Sequence, residues 1–119
     1  MSFNRSIPFI GFHTRIADHD AVPGLVRLIE EGLAPAGINT LILEFNPGYA
    51  YRCYPEFSTG TLNHQDALII KSICWTYKIR IIPLFQCLSH QSNFNAQPWP
   101  LFQKHPEFLE TPDVPAGAA

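Results

Sequence analysis

Polar and charged side chains follow three apolar runs of the sequence at the point where each run ends. Arg15 lies at the end of the first run, Glu44 and Asn46 lie at the end of the second, and Gln86 and His90 follow the third. Arginine presents a rigid fork of N–H donors that suits vicinal hydroxyls or a carboxylate. A hydrogen bond to a charged group contributes about 1.5–3 kcal/mol. These five residues are the candidate ligand-binding groups.

The candidate residues depend on three predicted strands and two predicted helices for their positions. The strands lie within residues 8–16, 38–45 and 79–85, where apolar residues dominate. Between the strands, apolar residues recur at helical spacing and charged residues occupy the other side. The predicted buried stripes are Leu25, Leu28, Ile29 and Leu33 in the first helix, and Ala67, Ile70, Ile73, Cys74 and Tyr77 in the second.

Both predicted helices have polar residues where an N-terminal cap is expected. Asp18 and Asp20 precede the first helix, and an aspartate side chain at that position accepts hydrogen bonds from the first free backbone amides. Asn63 precedes the second helix, and Asp66 follows three residues later. This spacing predicts a reciprocal capping box, although Glu or Gln is the usual partner at the later position.

Strands that alternate with amphipathic helices predict an α/β fold with a parallel sheet. Right-handed crossovers then place consecutive helices on one face of the sheet. Two architectures fit this pattern: a small open parallel sheet, or the first three βα units of a (β/α)8 barrel, which normally needs about 250 residues. In both, ligands bind at the carboxyl ends of the strands, so the candidate residues are expected to share one rim.

Composition limits the classes of partner and compartment. The 119 residues are 46% hydrophobic and carry a net charge of −2, so we expect neither a nucleic-acid nor an anionic-membrane partner. Cys53, Cys74 and Cys87 are odd in number and lack paired spacing, which indicates reduced thiols without a disulfide framework or zinc site. With no secretion signal recognisable at the N-terminus, the sequence predicts a cytoplasmic protein without a cofactor. We expect one domain over residues 1–112 and a loose tail over residues 113–119.

Several candidates also have purely structural interpretations. Arg15 and Glu44 are as well suited to pair with each other across neighbouring strands as to contact a ligand. His90 is suited to tie down its own loop through backbone hydrogen bonds. His13 and His19 have no cysteine or carboxylate at a suitable spacing, so no metal site is expected.

Three tyrosines in the loop after the second strand leave a similar choice open. Tyr49, Tyr51 and Tyr54 have aromatic faces that could stack on a sugar ring, but tyrosines in such loops more often pack against the fold.

Four stretches, GFHTRI, GINTLILEF, IRIIPLFQCLSHQS and HPEFLETP, together resemble the opening strands of family 20 glycoside hydrolases, the β-N-acetylhexosaminidase-like barrels. The resemblance implies that Arg15 holds hydroxyls of a terminal sugar. In that family the third strand runs into a Pro-Glu-x-Asp-x-Pro-Gly-His segment, which Pro83 and His90 match. Leu84, Gln86, Leu88 and Ser89 depart from it, so the resemblance implies a divergent relative.

The chemistry of that family requires an Asp-Glu pair after the fourth strand and uses the acetamido group of the substrate as nucleophile. No glutamate of this chain falls at the matching position, so no catalytic residue is predicted. We therefore expect a fragment of a barrel that binds a carbohydrate substrate and does not hydrolyse it alone.

Two alternatives remain open. One is a non-catalytic carbohydrate-binding or assembly module that works through an oligomer, with self-association at the exposed edge of the sheet. The other is a small doubly wound domain that binds an unrelated ligand, without a glycine-rich phosphate loop.

Overall fold

The described residues form a three-stranded parallel sheet, and the two helical segments that connect its strands lie on one face. The structure, a computed structural model, describes residues 8–45, 48–55, 58, 60–85 and 100–108. Within these ranges β1 (Gly11–Arg15), β2 (Thr40–Glu44) and β3 (Arg80–Leu84) pair in the order β1-β2-β3. The predicted α/β fold with a parallel sheet is confirmed, and each strand is shorter than the apolar run that contains it. The predicted tail, residues 113–119, lies outside the described ranges.

The helices connect consecutive strands, as the sequence predicts. A 3-10 turn (His19–Ala21) leads into α1 (Val22–Leu28), which continues as a π-helical turn (Ile29–Leu33). The longest helix of the described ranges, α2 (His64–Thr76), follows β2 and precedes β3 along the chain. A short α3 (Pro100–Lys104) and a 3-10 turn (Pro106–Phe108) complete the described elements.

The two predicted caps have different outcomes. Asn63 and Asp66 form the predicted capping box, because the Asn63 side chain accepts from the Asp66 amide at 3.0 Å and Asp66 Oδ2 accepts from the Asn63 amide at 3.1 Å. The predicted capping by Asp18 and Asp20 is wrong. Asp18 precedes the 3-10 turn without a side-chain capping bond, and Ala21 occupies the cap position of α1.

Both helices pack against the same face of the sheet. Leu25 and Ile29 from the first helical segment, Ile70 from α2 and Leu41 and Leu43 from β2 belong to one buried cluster. Because strand side chains alternate between faces, β2 directs its odd-numbered residues at the helices and its even-numbered residues away from them. The expectation that consecutive helices share a face is confirmed.

The predicted stripes are correct except at three positions. Leu28 is 37% exposed, whereas Leu25, Ile29 and Leu33, each four residues apart, are buried in the core. The π-helical turn at Ile29–Leu33 has more residues per turn than an α-helix, which favours this spacing of four. Tyr77 is 40% exposed because α2 ends at Thr76. Ala67 is also exposed, since it lines a cavity between α2 and the sheet.

No helix within the described ranges is long and apolar enough to cross a membrane. Cys53 is an exposed free thiol and Cys74 is a buried one, whereas Cys87 lies outside those ranges. Burial raises the pKa of the Cys74 thiol from 9.0 to about 11, because the low-dielectric core disfavours the thiolate.

We expect N-ethylmaleimide at pH 8 to modify Cys53 quickly and Cys74 only when the protein unfolds. The thiolate is the reacting species, and burial both removes access to Cys74 and keeps its thiol protonated. Peptide mapping by mass spectrometry at successive times separates the sites, and a urea-unfolded sample provides the control in which both react. Equal labelling rates in the folded protein would show that α2 does not pack against the sheet as described.

Candidate functional site

A cluster of polar side chains lies at the carboxyl ends of β1 and β2, on the face directed away from the helices. Arg15 and Glu44 are the last residues of their strands and lie directly opposite each other in the parallel register. His13 lies two residues before Arg15 and therefore on the same face of β1. We call His13, Arg15 and Glu44 the polar cluster.

The Glu44 carboxylate is the buried member of the polar cluster. Glu44 is 8% exposed, and its Oε2 lies 3.5 Å from Nε2 of His13, whose side chain is half exposed. The parallel register places Arg15 directly opposite Glu44 on the neighbouring strand. The cluster therefore combines a buried acceptor with cationic or neutral donors at its rim, an arrangement that can hold a hydroxyl-bearing ligand.

The structure brings together two of the five sequence-predicted site residues. Arg15 and Glu44 are neighbours. Asn46, Gln86 and His90 lie outside the described residues, so their predicted roles stay predictions. His13, for which the sequence predicts no metal-binding role, is a further member of the cluster through its contact with Glu44.

A cavity of about 370 Å³ lies on the opposite face of the sheet, between the strands and α2. Leu43, Ile81 and Pro83 of the sheet form one wall, and Ala67 and Ile70 of α2 form another. Because odd-numbered residues of β2 and β3 face the helices, this cavity is separated from the polar cluster by the sheet itself.

Aromatic rings from the loop after β2 line one side of the cavity. Phe45 and Tyr49 meet edge to face with ring centroids 6.0 Å apart, and Tyr49 meets Tyr51 in the same way at 5.2 Å. The third candidate tyrosine, Tyr54, is exposed. Two of the three loop tyrosines therefore pack into the fold.

The Tyr51 hydroxyl is buried and has no hydrogen-bond partner among the described residues. Leaving such a group unpaired costs about 1–3 kcal/mol. Burial, followed by the neighbouring Tyr49 phenol, raises the pKa of Tyr51 above its ordinary value, so the hydroxyl remains a proton donor.

A buried carboxylate at the start of α2 joins two distant parts of the chain. Asp66 is 1% exposed, and its Oδ1 lies 2.8 Å from Nδ1 of His19, while its Oδ2 accepts the Asn63 amide. The His19 amide also donates to Thr61 Oγ1 at 2.8 Å. These contacts fix the segment after β1 against the segment before α2.

The two histidines considered as metal ligands thus have different carboxylate partners. His13 contacts Glu44 and His19 contacts Asp66. Over the described part of the chain, no group of three or more His, Cys, Asp or Glu side chains comes close enough to hold a metal ion.

Sequence reasoning missed the pairing of His19 with Asp66 and the cavity beside it. The usable signal for Asp66 was its position in the capping box, which places its carboxylate over the first turn of α2. Nothing local to His19 identifies its partner, because the two residues are 47 positions apart.

We expect Asp66→Ala to lower the free energy of unfolding by about 2–3 kcal/mol, because the change removes the helix cap and the partner of His19 together. Urea denaturation followed by circular dichroism measures the change. Asp20→Ala, at an exposed acidic position in the neighbouring 3-10 turn, is the matched control and is expected to stay within about 0.5 kcal/mol of the wild type. An equal loss in the two variants would contradict the structural role of Asp66.

Comparison with known proteins does not assign the chain to a family. No model of a protein family matches the sequence, and no curated protein matches it significantly. Function is therefore inferred from the geometry of the polar cluster and the cavity.

Proposed function

We propose that the sheet is part of a (β/α)8-type barrel similar to the family 20 glycoside hydrolases, and that it binds a terminal β-linked sugar such as an N-acetylhexosamine. The single observation that carries the proposal is the placement of Arg15 directly opposite Glu44 at the carboxyl ends of adjacent parallel strands. Enzymes with such barrels bind their substrates at this end of the strands.

The face that carries the polar cluster supports the barrel interpretation. In a (β/α)8 barrel the helices surround the outside, and the opposite face of each strand points into the interior. Here Leu41 and Leu43 pack with the helices, whereas Arg15 and Glu44 belong to the other face. Closure of the sheet into a barrel would thus direct the polar cluster inward, toward a substrate at the rim.

The chemistry of the cluster suits a sugar hydroxyl pair. The Arg15 guanidinium donates in a planar fork that matches two adjacent oxygens, and the Glu44 carboxylate accepts from a hydroxyl. His13 lies close enough to Glu44 to orient its carboxylate. In this proposal Asn46, Gln86 and His90 supply further contacts from the same rim.

The proposed role of this chain is binding, and hydrolysis belongs to the intact barrel. The family that the sequence resembles uses an Asp-Glu pair to protonate the leaving group, and Glu44 has a different location, at the end of the second strand. We assign Glu44 to hydroxyl binding because its register partner is Arg15 and its carboxylate contacts His13.

We expect N-acetylglucosamine to bind the chain, and Arg15→Met and Glu44→Gln each to weaken binding by about tenfold through loss of a charged hydrogen bond. Titration followed by two-dimensional amide NMR measures the affinity. Arg27→Met is the matched control, since Arg27 pairs with Glu31 on the exposed side of the first helical segment and should leave the affinity unchanged.

The same preparation should not release nitrophenol from 4-nitrophenyl N-acetyl-β-glucosaminide. Measurable turnover that disappears in Glu44→Gln would overturn the assignment of Glu44 to binding. An absence of any sugar-dependent shift at the amides of β1 and β2 would reject the carbohydrate proposal itself.

A second candidate is an assembly module that acts without catalysis through self-association at β1. The described residues contain no strand beyond β1 on that side of the sheet, and Phe9, Ile10 and Phe12 at or beside this edge are exposed. Unpaired edges with neighbouring apolar side chains favour pairing with a second copy.

We expect His13→Pro to reduce self-association while His13→Ala does not. Ile16 donates to Glu44 and Ile10 accepts from Thr40, so even-numbered residues of β1 pair with β2 and His13 directs its backbone N–H outward. Proline removes that donor without breaking the β1–β2 ladder, and alanine removes only the side chain. Sedimentation velocity measures the change, and a monomeric wild type would exclude the assembly role.

A further inference from the structure

The cavity between the sheet and α2 is large enough for a small molecule and is independent of the proposed sugar site. Its volume of about 370 Å³ lies in the range of about 300–1,000 Å³ that small-molecule sites occupy. The polar cluster lies on the other face of the sheet, so a sugar held by Arg15 and Glu44 would not enter it.

The walls of the cavity select an apolar ligand. Leucine, isoleucine and aromatic side chains surround most of the space, with Leu43, Ile81 and Ile70 on facing walls. A polyol placed there would leave most of its hydroxyls without partners, which is unfavourable. Phe45, Tyr49 and Tyr51 meet edge to face at one side of the cavity. An aromatic ring of a ligand can make a further contact of the same kind with them.

The polar groups that line the cavity indicate which hydrogen-bonding group a ligand would need. Both oxygens of Asp66 have partners in His19 and Asn63, so the carboxylate is already satisfied. The Tyr51 hydroxyl, in contrast, is buried without a partner in the described part of the chain. A ligand that offers an acceptor oxygen at that point would satisfy the hydroxyl.

We propose that this cavity is a binding site for a small neutral aromatic molecule with a carbonyl oxygen, and that the Tyr51 hydroxyl donates a hydrogen bond to that oxygen. The ring occupies the space between Leu43 and Ile70, and the carbonyl lies toward the loop after β2.

Acetophenone and ethylbenzene test the proposal as a pair, because they share a ring and differ in the carbonyl. NMR titration monitors the amides of Leu62 and Ile70, which line the cavity. Both probes are expected to shift these amides. Tyr51→Phe should weaken acetophenone about 3- to 10-fold and leave ethylbenzene unchanged, because only acetophenone accepts a hydrogen bond.

A second pair of variants tests the location. Ala67→Leu places a larger side chain in the cavity and should weaken the binding of both probes. Gln65→Leu introduces leucine at an exposed position of α2 that does not line the cavity, and it should weaken the binding of neither. Tyr51→Phe should unfold at the same urea concentration as the wild type or a higher one, since its hydroxyl has no partner to lose.

Three results would overturn the proposal. The first is an absence of shifts with either probe at millimolar concentration. The second is equal acetophenone affinity in the wild type and Tyr51→Phe. The third is a lower urea midpoint for Tyr51→Phe, which would show that the hydroxyl is bonded within the protein.

Discussion

The pairing of β2 with both neighbouring strands is the constraint on which the rest of the structure depends. Thr40, Leu41, Leu43 and Glu44 are all buried in this central strand. A slip of one residue would turn Glu44 toward the helices and Leu43 away from them. The cost of placing a carboxylate in the apolar cluster around Ile29 and Ile70 therefore fixes the register, and the register in turn places Arg15 opposite Glu44.

The register of β2 places polar side chains on one face of the sheet and apolar side chains on the other. Glu44, an even-numbered residue of β2, belongs to the polar cluster on the face directed away from the helices. Odd-numbered residues form the wall of an apolar cavity beside Phe45 and Tyr51. Since the polar cluster and the cavity share the backbone but no side chain of β2, a ligand at one would not compete directly for space at the other.

The sequence predicted the features that depend on local pattern. The three strands, the stripe of Leu25, Ile29 and Leu33, and the Asn63–Asp66 capping box follow from spacing within a few residues. The neighbourhood of Arg15 and Glu44 was predictable as well, because the carboxyl ends of parallel strands meet at one edge.

The missed features depend on contacts or volumes that no local pattern encodes. Asp18 has the residue type of a cap, but the chain enters α1 through a 3-10 turn that moves the cap position to Ala21. The contact between His19 and Asp66 joins residues far apart in sequence. The cavity is lined by residues of the sheet, of the loop after β2 and of α2, which are distant from one another in the sequence.

The contacts of Asp66 also decide what kind of ligand the cavity can accept. The N-terminus of a helix carries partial positive charge and free amides, and such an end commonly binds phosphate or another anion. At α2 the Asp66 carboxylate lies over the first turn, and the Asn63 side chain already accepts the Asp66 amide. A second anion would meet that buried negative charge at close range. The proposed ligand is therefore neutral, because the Asp66 carboxylate already lies at the first turn of α2 beside the cavity.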